Sequence, residues 1–268
     1  MPNALRMSFR DQVSPAASWL ACRKPKAQAS ARLFCLPYAG GGASMFHSWP
    51  DLLPPEIEIR VIQLPGREKR FGERPFTRLW PLVQKLGAVL RPYLDRPFAI
   101  FGHSMGGLLG FELARQLRRQ RDPSPKQLFI SAHRAPQLPR PGPPIHKLPD
   151  SVFLMRLQAA YDLPPDVLDD AELVELYLPL LRADLAICET YVYTIEDPLD
   201  CPITVFGGAE DGRVGRAELS AWRVHTRDSF NLRIFPGNHF FLRSSRTLML
   251  EALARDLKQI SERLMRTA

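Results

Sequence analysis

The stretch FAIFGHSMGGLLGFELARQL, residues 98–117, limits the possible folds more than any other part of the chain. Four apolar residues lead into Gly102-His103-Ser104-Met105-Gly106, and a segment with helical spacing follows. Such a turn is either a tight connection that uses serine by accident or a device that presents a hydroxyl for attack on a carbonyl carbon. Side chains at positions 102 or 106 would collide with the neighbouring strand and helix, so glycine on both sides permits a strained turn. The helix expected from Met105 to Arg119 aims its first amides at the serine, which favours developing negative charge there.

The rest of the chain alternates short apolar runs with helical patterns. ARLFCLPYAGGG contains a strand over about Leu33 to Leu36 that runs into a glycine-rich loop, and EIRVIQLPGRE contains a second strand ended by Pro65 and Gly66. Helical spacing at Leu79, Val83, Leu86 and Leu90 precedes the strand FAIFGHS. KQLFISAH, CPITVFGG and FNLRIFPG supply three more strands, the last two separated by the helical RAELSAWRVHT. Apolar runs this short, alternating with helices, imply parallel strands covered on both faces. The expected architecture is a doubly wound α/β sheet.

Residues 139–191 break the rhythm. They open with the proline-rich LPRPGPPIHKLP and continue with two amphipathic helices, in SVFLMRLQAAY and DAELVELYLPLLRADLAICETY. An insertion of this kind between strands of one sheet sits over the carboxyl edge, where ligands bind. We read it as a helical lid between a first core part, 1–138, and a second, 192–268; a subdomain with a structural role alone is the alternative. Phe153, Leu154 and Leu157 either face the pocket and set the length of what it admits or pack between the lid helices.

Ligands gather at the carboxyl ends of parallel strands, and Ser104 lies at one. A histidine must serve it from another. His239 fits best, since LRIFPGNHFFL leaves a strand through Gly237 and Asn238. His133 also follows a strand and is the rival. His103 adjoins the serine and points away from it, whereas His47, His146 and His225 belong to helix-like or lid segments and are expected at the surface. An acid must fix the imidazole tautomer. Asp211 stands just past the strand in CPITVFGGAEDGRV, with Glu210 and the lid residue Asp184 as alternatives. Asp197, Asp200 and Asp228 precede strands and fall at the wrong edge. The chain order Ser104, Asp211, His239 is the one expected on this fold. Of the two amides an oxyanion hole requires, Met105 supplies one. The loop PYAGGG supplies the other, from Ala39, with Tyr38 or Gly40 as alternatives. A phosphate loop is disfavoured because no Gly-Lys-Ser/Thr follows.

The segments LFCLPYAGGGASMFHSW, QLPGREKRFGE, FGHSMGGLLGFELAR, VFGGAEDGRV and FPGNHFFL together resemble the type II thioesterases that serve polyketide and nonribosomal peptide synthetases. The resemblance runs from about residue 32 to 260. It implies an α/β-hydrolase fold, a mostly parallel doubly wound sheet with a helical lid insertion. It also implies hydrolysis of acyl groups from the phosphopantetheine arm of acyl- or peptidyl-carrier proteins, clearing mis-primed or stalled chains. The family's catalytic serine, aspartate and histidine fall on Ser104, Asp211 and His239, and the mechanism needs no metal or cofactor. Rival readings are a carboxylesterase or lipase with the same triad, and a catalytically silent binding protein on the same fold.

Composition narrows the setting. Across 268 residues, 45% are hydrophobic and 24% charged, an ordinary globular balance. No uncharged apolar run approaches the ~18 residues that span a bilayer, and Arg6, Arg10 and Asp11 argue against a secretory signal. The expected protein is soluble and cytoplasmic. Its four cysteines, Cys22, Cys35, Cys188 and Cys201, show no zinc-ligand spacing and read as scattered buried thiols. The net charge of +8 suits an acidic partner, but no dense basic run with aromatics points to nucleic acid. Carrier proteins of this kind are acidic, as the resemblance implies, so Arg67, Lys69 and Arg70 near the lid and the carboxyl edge of the sheet, and Arg140 or Lys147 at the lid entry, are expected to steer the encounter.

Overall fold

The computed structural model describes residues 18–161 and 171–267. Seven strands form one sheet: β1 (Leu20–Ala21), β2 (Ala31–Leu36), β3 (Ile57–Ile62), β4 (Phe98–His103), β5 (Gln127–Ser131), β6 (Ile203–Gly208) and β7 (Phe230–Phe235). Their spatial order is β1-β3-β2-β4-β5-β6-β7, with β1 antiparallel to β3 and every other pairing parallel. Sequence reading finds six of the strands and misses β1, which at two residues is too short to carry a period. The principal helices are α1 (Leu79–Leu90), α2 (Met105–Arg119), α3 (Asp150–Tyr161), α4 (Ala171–Glu189), the short α5 (Arg216–Ser220) and α6 (Arg246–Thr267). Among the described residues no helix is long and apolar enough to cross a membrane.

Every residue of β2, β4, β5 and β6 is buried, because helices cover both faces of the sheet. Alternate residues serve opposite cores. Phe34, Leu36, Ile100 and Ile130 pack with α1 and α2 through Leu86, Leu109 and Leu113. Leu33, Cys35, Phe101 and Phe129 face the other way, against Trp49 and the α6 residues Met249 and Leu253. The apolar positions Leu79, Val83, Leu86 and Leu90, read as one stripe, are all buried. Cys35 and Cys201 are buried, while Cys22 and Cys188 are half-buried, and all four thiols are free.

The helices α3 and α4 lie in the chain between β5 and β6 and reach the loops that follow β2 and β3. Leu181 lies against Gly40 and Leu180 against Gly66. The proline-rich lead-in is tied to the end of α4, since Glu189 accepts bonds from the N–H of Ile145, at 3.0 Å, and of His146, at 3.0 Å. Phe153 and Leu157 pack with Leu185 in the seam between α3 and α4, with Ala39 at its edge, and the Arg182 guanidinium lies 4.2 Å from the Phe153 ring centroid. Of the two alternatives for Phe153 and Leu157, the structure therefore favours packing, while Leu154 stays half-exposed.

Two surface expectations are corrected. His225 is buried, with Phe111, Tyr193 and Trp222 around its ring. Its neighbours come from α2, the segment after α4 and its own helical turn, so its local sequence carried no sign of them. Arg67 and Arg70 are buried as well. Arg70 pairs with Glu73 and lies 4.0 Å from the Trp19 ring centroid. Lys69, Arg140 and Lys147 remain exposed.

The glycines of the central turn are required by contact. A Cβ on Gly102 would stand 2.0 Å from the Gly106 carbonyl oxygen, and one on Gly106 would stand 2.2 Å from the Leu36 carbonyl oxygen. Gly102→Ala and Gly106→Ala should each cost about 3 kcal/mol or more, which is roughly 6–12 °C in Tm for a chain of this size. Gly72→Ala, where the added Cβ meets nothing within 4 Å, should leave Tm within about 2 °C. Thermal unfolding of the three variants checks both statements.

Candidate active site

Ser104 is the residue between β4 and α2, with φ 52° and ψ −118°. A side chain in this left-handed region costs roughly 1–3 kcal/mol and persists only where its surroundings hold it. Here the Ser104 N–H donates to the Ser131 carbonyl at 2.7 Å, and the Ser104 carbonyl accepts from Gly107 N–H at 2.8 Å. The hydroxyl is thereby held at the carboxyl edge of the sheet, at the start of α2. The N–H of Met105, first in that helix, has no carbonyl within the helix to bond.

His239 arrives four residues after β7, and Asp211 three residues after β6. His239 Nδ1 lies 2.8 Å from Asp211 Oδ2, and its Nε2 lies 3.0 Å from Ser104 Oγ. A carboxylate only accepts, so Nδ1 carries the proton and Nε2 offers its lone pair to the serine hydroxyl. Asp211 Oδ1 also accepts from the N–H of Arg213, at 2.9 Å, and of Val214, at 3.3 Å. Burial works against the Asp211 charge, yet the histidine and these two amides outweigh it and hold the carboxyl below its ordinary range. For His239, burial is the largest influence and lowers its pKa below the ordinary imidazole value; the Asp211 bond opposes this and Arg213 adds to it.

The alternatives are occupied elsewhere. His133 donates from Nδ1 to the Arg134 carbonyl at 2.7 Å, and burial pushes its pKa down to about 4. His103 is fully buried, with Nδ1 2.8 Å from Ser131 Oγ. Glu210 is exposed. Asp197 and Asp200 pair with Arg227 at the opposite edge of the sheet.

Asp184 is buried and bonds to Arg67 and the Gly40 N–H, whereas Asp211 is the carboxylate on His239. The Asp184 carboxylate accepts from Arg67 Nη1 at 2.8 Å, from Arg67 Nη2 at 2.8 Å and from the Gly40 N–H at 2.7 Å. Arg67 Nη1 also donates to the Gly41 carbonyl at 3.0 Å. A residue of α4 thus grips the loop after β2 through a buried ion pair, and Gly40, with φ +79°, turns its N–H into that grip. Sequence reading placed Arg67 at the surface and weighed Asp184 only as an acid. The two residues are 117 positions apart, and no local pattern announces the pair.

The serine on a strained turn after the central strand, served by an acid and a histidine in that chain order, marks the α/β-hydrolase class, and this fold is of that class. The sequence profile of the thioesterase domain matches residues 31–260. Gramicidin S biosynthesis protein GrsT of Aneurinibacillus migulanus is 42% identical over 254 residues, covering 95% of this chain and 98% of the relative. Among solved structures, the RedJ thioesterase from the prodiginine pathway of Streptomyces coelicolor superposes with a TM-score of 0.81 at 38% identity, covering 94% of this chain and 99% of that one. The type II thioesterase BorB from the borrelidin biosynthetic cluster gives a TM-score of 0.81 at 36% identity, over 89% and 97% of the two chains. The chain belongs to the thioesterase family and is a type II thioesterase.

The buried grip on the loop has a measurable consequence. Asp184→Ala leaves the Arg67 charge buried without its partner, which should cost about 3–5 kcal/mol. The apolar double variant Arg67→Met/Asp184→Leu should recover part of that loss, because it removes both charges, although Gly40 N–H and Gly41 C=O still lose their partners. Urea unfolding of the three proteins provides the comparison.

Proposed function

We propose that this thioesterase hydrolyses acyl groups from the phosphopantetheine arm of carrier proteins, with Ser104 as nucleophile, His239 as base and Asp211 as the residue that orients the histidine. The observation that carries the catalytic part is the continuous path Asp211 Oδ2–His239–Ser104 Oγ, with links of 2.8 and 3.0 Å. Likeness to type II thioesterases along nearly the whole of both chains supports the substrate class.

The steps follow from the geometry. His239 Nε2 takes the Ser104 proton as Oγ attacks the thioester carbonyl, and Asp211 stabilises the imidazolium that forms. The oxyanion falls to the N–H groups of Met105 and Ala39. Of the alternatives in the loop, Gly40 has its N–H committed to Asp184, which favours Ala39. The imidazolium then protonates the departing pantetheine thiolate. Water, deprotonated by the same histidine, attacks the acyl-serine and releases the acid. Residues 139–191 act as the lid over a core formed by 1–138 and 192–268, and α4 carries the lid's grip on the loop bearing Ala39.

Two outcomes test this reading. Ser104→Ala and His239→Ala should each lower kcat for an acyl-carrier thioester by at least a thousandfold, while His133→Ala keeps most of it. Retention of a tenth of the rate by either of the first two would remove that residue from the mechanism. An oxyester of the same acyl group turned over faster than the thioester would instead favour an esterase.

The pH profile tests the base. Because burial holds the His239 pKa below its ordinary value, kcat/KM should rise with pH through one ionisation below about 6.5 and then level off. The sequence alone suggests about 6.5 to 7, the range of an unburied imidazole. Asp211→Asn removes the interaction that raises the pKa, so the residual activity should titrate at still lower pH.

A further inference from the structure

A cleft of about 420 Å³ opens beside the loop after β2. Its inner wall includes Tyr38 and Gly40, which flank Ala39 in the chain. The Tyr38 ring centroid lies 5.2 Å from that of Phe240, which in turn lies 5.4 Å from the His239 ring. The cleft therefore opens next to the proposed catalytic centre. Arg243 and Arg246, both exposed, line it as well.

Charge in this cleft is unevenly balanced. Glu68 has one oxygen on the Ala43 N–H, at 3.2 Å, and the other on the Ser44 N–H, at 3.0 Å. Arg67 is already neutralised by Asp184. Among the described residues, neither Arg243 nor Arg246 has a carboxylate partner. Arg243 is nonetheless braced: it donates to the Tyr38 hydroxyl, and its guanidinium lies 5.6 Å from the Tyr38 ring centroid and 5.3 Å from that of Phe240. Part of the entropy that an anion would have to remove from this side chain is already lost in the free protein.

We infer that Arg243 and Arg246 form a phosphate subsite that receives the phosphate end of the phosphopantetheine arm, so that the pantetheine chain runs along the cleft, past Tyr38, toward Ser104. The inference rests on the proposed substrate class and adds where its phosphate binds. Two guanidinium forks with no carboxylate partner among the described residues match phosphate oxygens by charge and by shape. The subsite also provides a place for positive charge at the substrate entrance, where sequence reading had put Arg67, Lys69 and Arg70 and where only Lys69 of the three is exposed.

The test uses a matched pair of small substrates, an acyl-4′-phosphopantetheine and the same acyl-pantetheine without phosphate. The wild-type protein should prefer the phosphorylated substrate by about tenfold in kcat/KM, carried by KM, as expected for two charge-assisted contacts at a partly solvated site. Arg246→Gln, which leaves the Arg243–Tyr38 contact in place, should lose part of this preference. Arg243→Gln/Arg246→Gln should bring it close to one, read as the ratio of kcat/KM for the two substrates in the same variant. Arg223→Gln, an exposed charge elsewhere, should keep the full preference. A wild-type ratio near one, or equal losses on both substrates, would overturn the subsite.

Calorimetric binding of 4′-phosphopantetheine and of pantetheine to Ser104→Ala separates the subsite from the hydrolytic reading. Tighter binding of the phosphorylated compound, lost in the double arginine variant, supports the subsite even if the wild-type protein hydrolyses neither thioester, an outcome that would defeat only the substrate proposal. Equal binding of the two compounds defeats the subsite whether or not hydrolysis occurs.

Discussion

The close approach of three backbones around Ser104 is the constraint on which the site depends. The turn between β4 and α2 passes so near the end of β2 that a single methyl group on Gly106 would meet the Leu36 carbonyl oxygen. The same crowding forces Ser104 to a φ of 52°, and the bond from its N–H to the Ser131 carbonyl on β5 keeps it there. Central position in the sheet matters because β4 is flanked by β2 and β5, both fully buried. The strain of one residue is thus supported by the packing of the whole sheet, and the hydroxyl is held facing His239.

Burial then shapes the chemistry. His239 and Asp211 are both largely sequestered from water, which weakens the charged form of each. The acid retains its charge because it accepts from His239 and from two amides. Burial holds the histidine below its ordinary pKa, and its unprotonated Nε2 faces the serine hydroxyl. The difference between the two residues arises from hydrogen bonding, since burial opposes ionisation in both.

A second organising contact joins the helices between β5 and β6 to the loop after β2. The pair Arg67–Asp184 is worth little as a source of net stability, since desolvation offsets much of its attraction. Its value lies in geometry: the bidentate contact, together with Gly40 N–H and Gly41 C=O, allows the loop few other arrangements. Any displacement of α4 would therefore be felt at the loop that carries Ala39. The apolar seam of Phe153, Leu157 and Leu185 adds a dry contact beside the same loop.

The order of strands and helices, the glycine-flanked serine, and the identities of Asp211 and His239 as strand-end residues were all legible in the sequence. Each depends on local spacing: apolar runs of strand length, a helical period, or the position of a polar residue just beyond a strand. The two-residue β1 was not legible, because it is defined by its pairing with β3 and has no pattern of its own. Nor were the burial of Arg67, Arg70 and His225, the packing of Phe153, or the pairing of Asp184 with Arg67. Those outcomes depend on which distant segments share a neighbourhood. A charged side chain reads as exposed until the fold places a counter-charge or an aromatic ring beside it, and the counter-charge of Arg67 lies 117 residues away. The sequence by itself determined the class of fold and the residues able to do the chemistry. Only the tertiary structure decided which charges are buried in the grip on the loop and which remain at the surface, because desolvation and ion pairing are properties of contacts between segments.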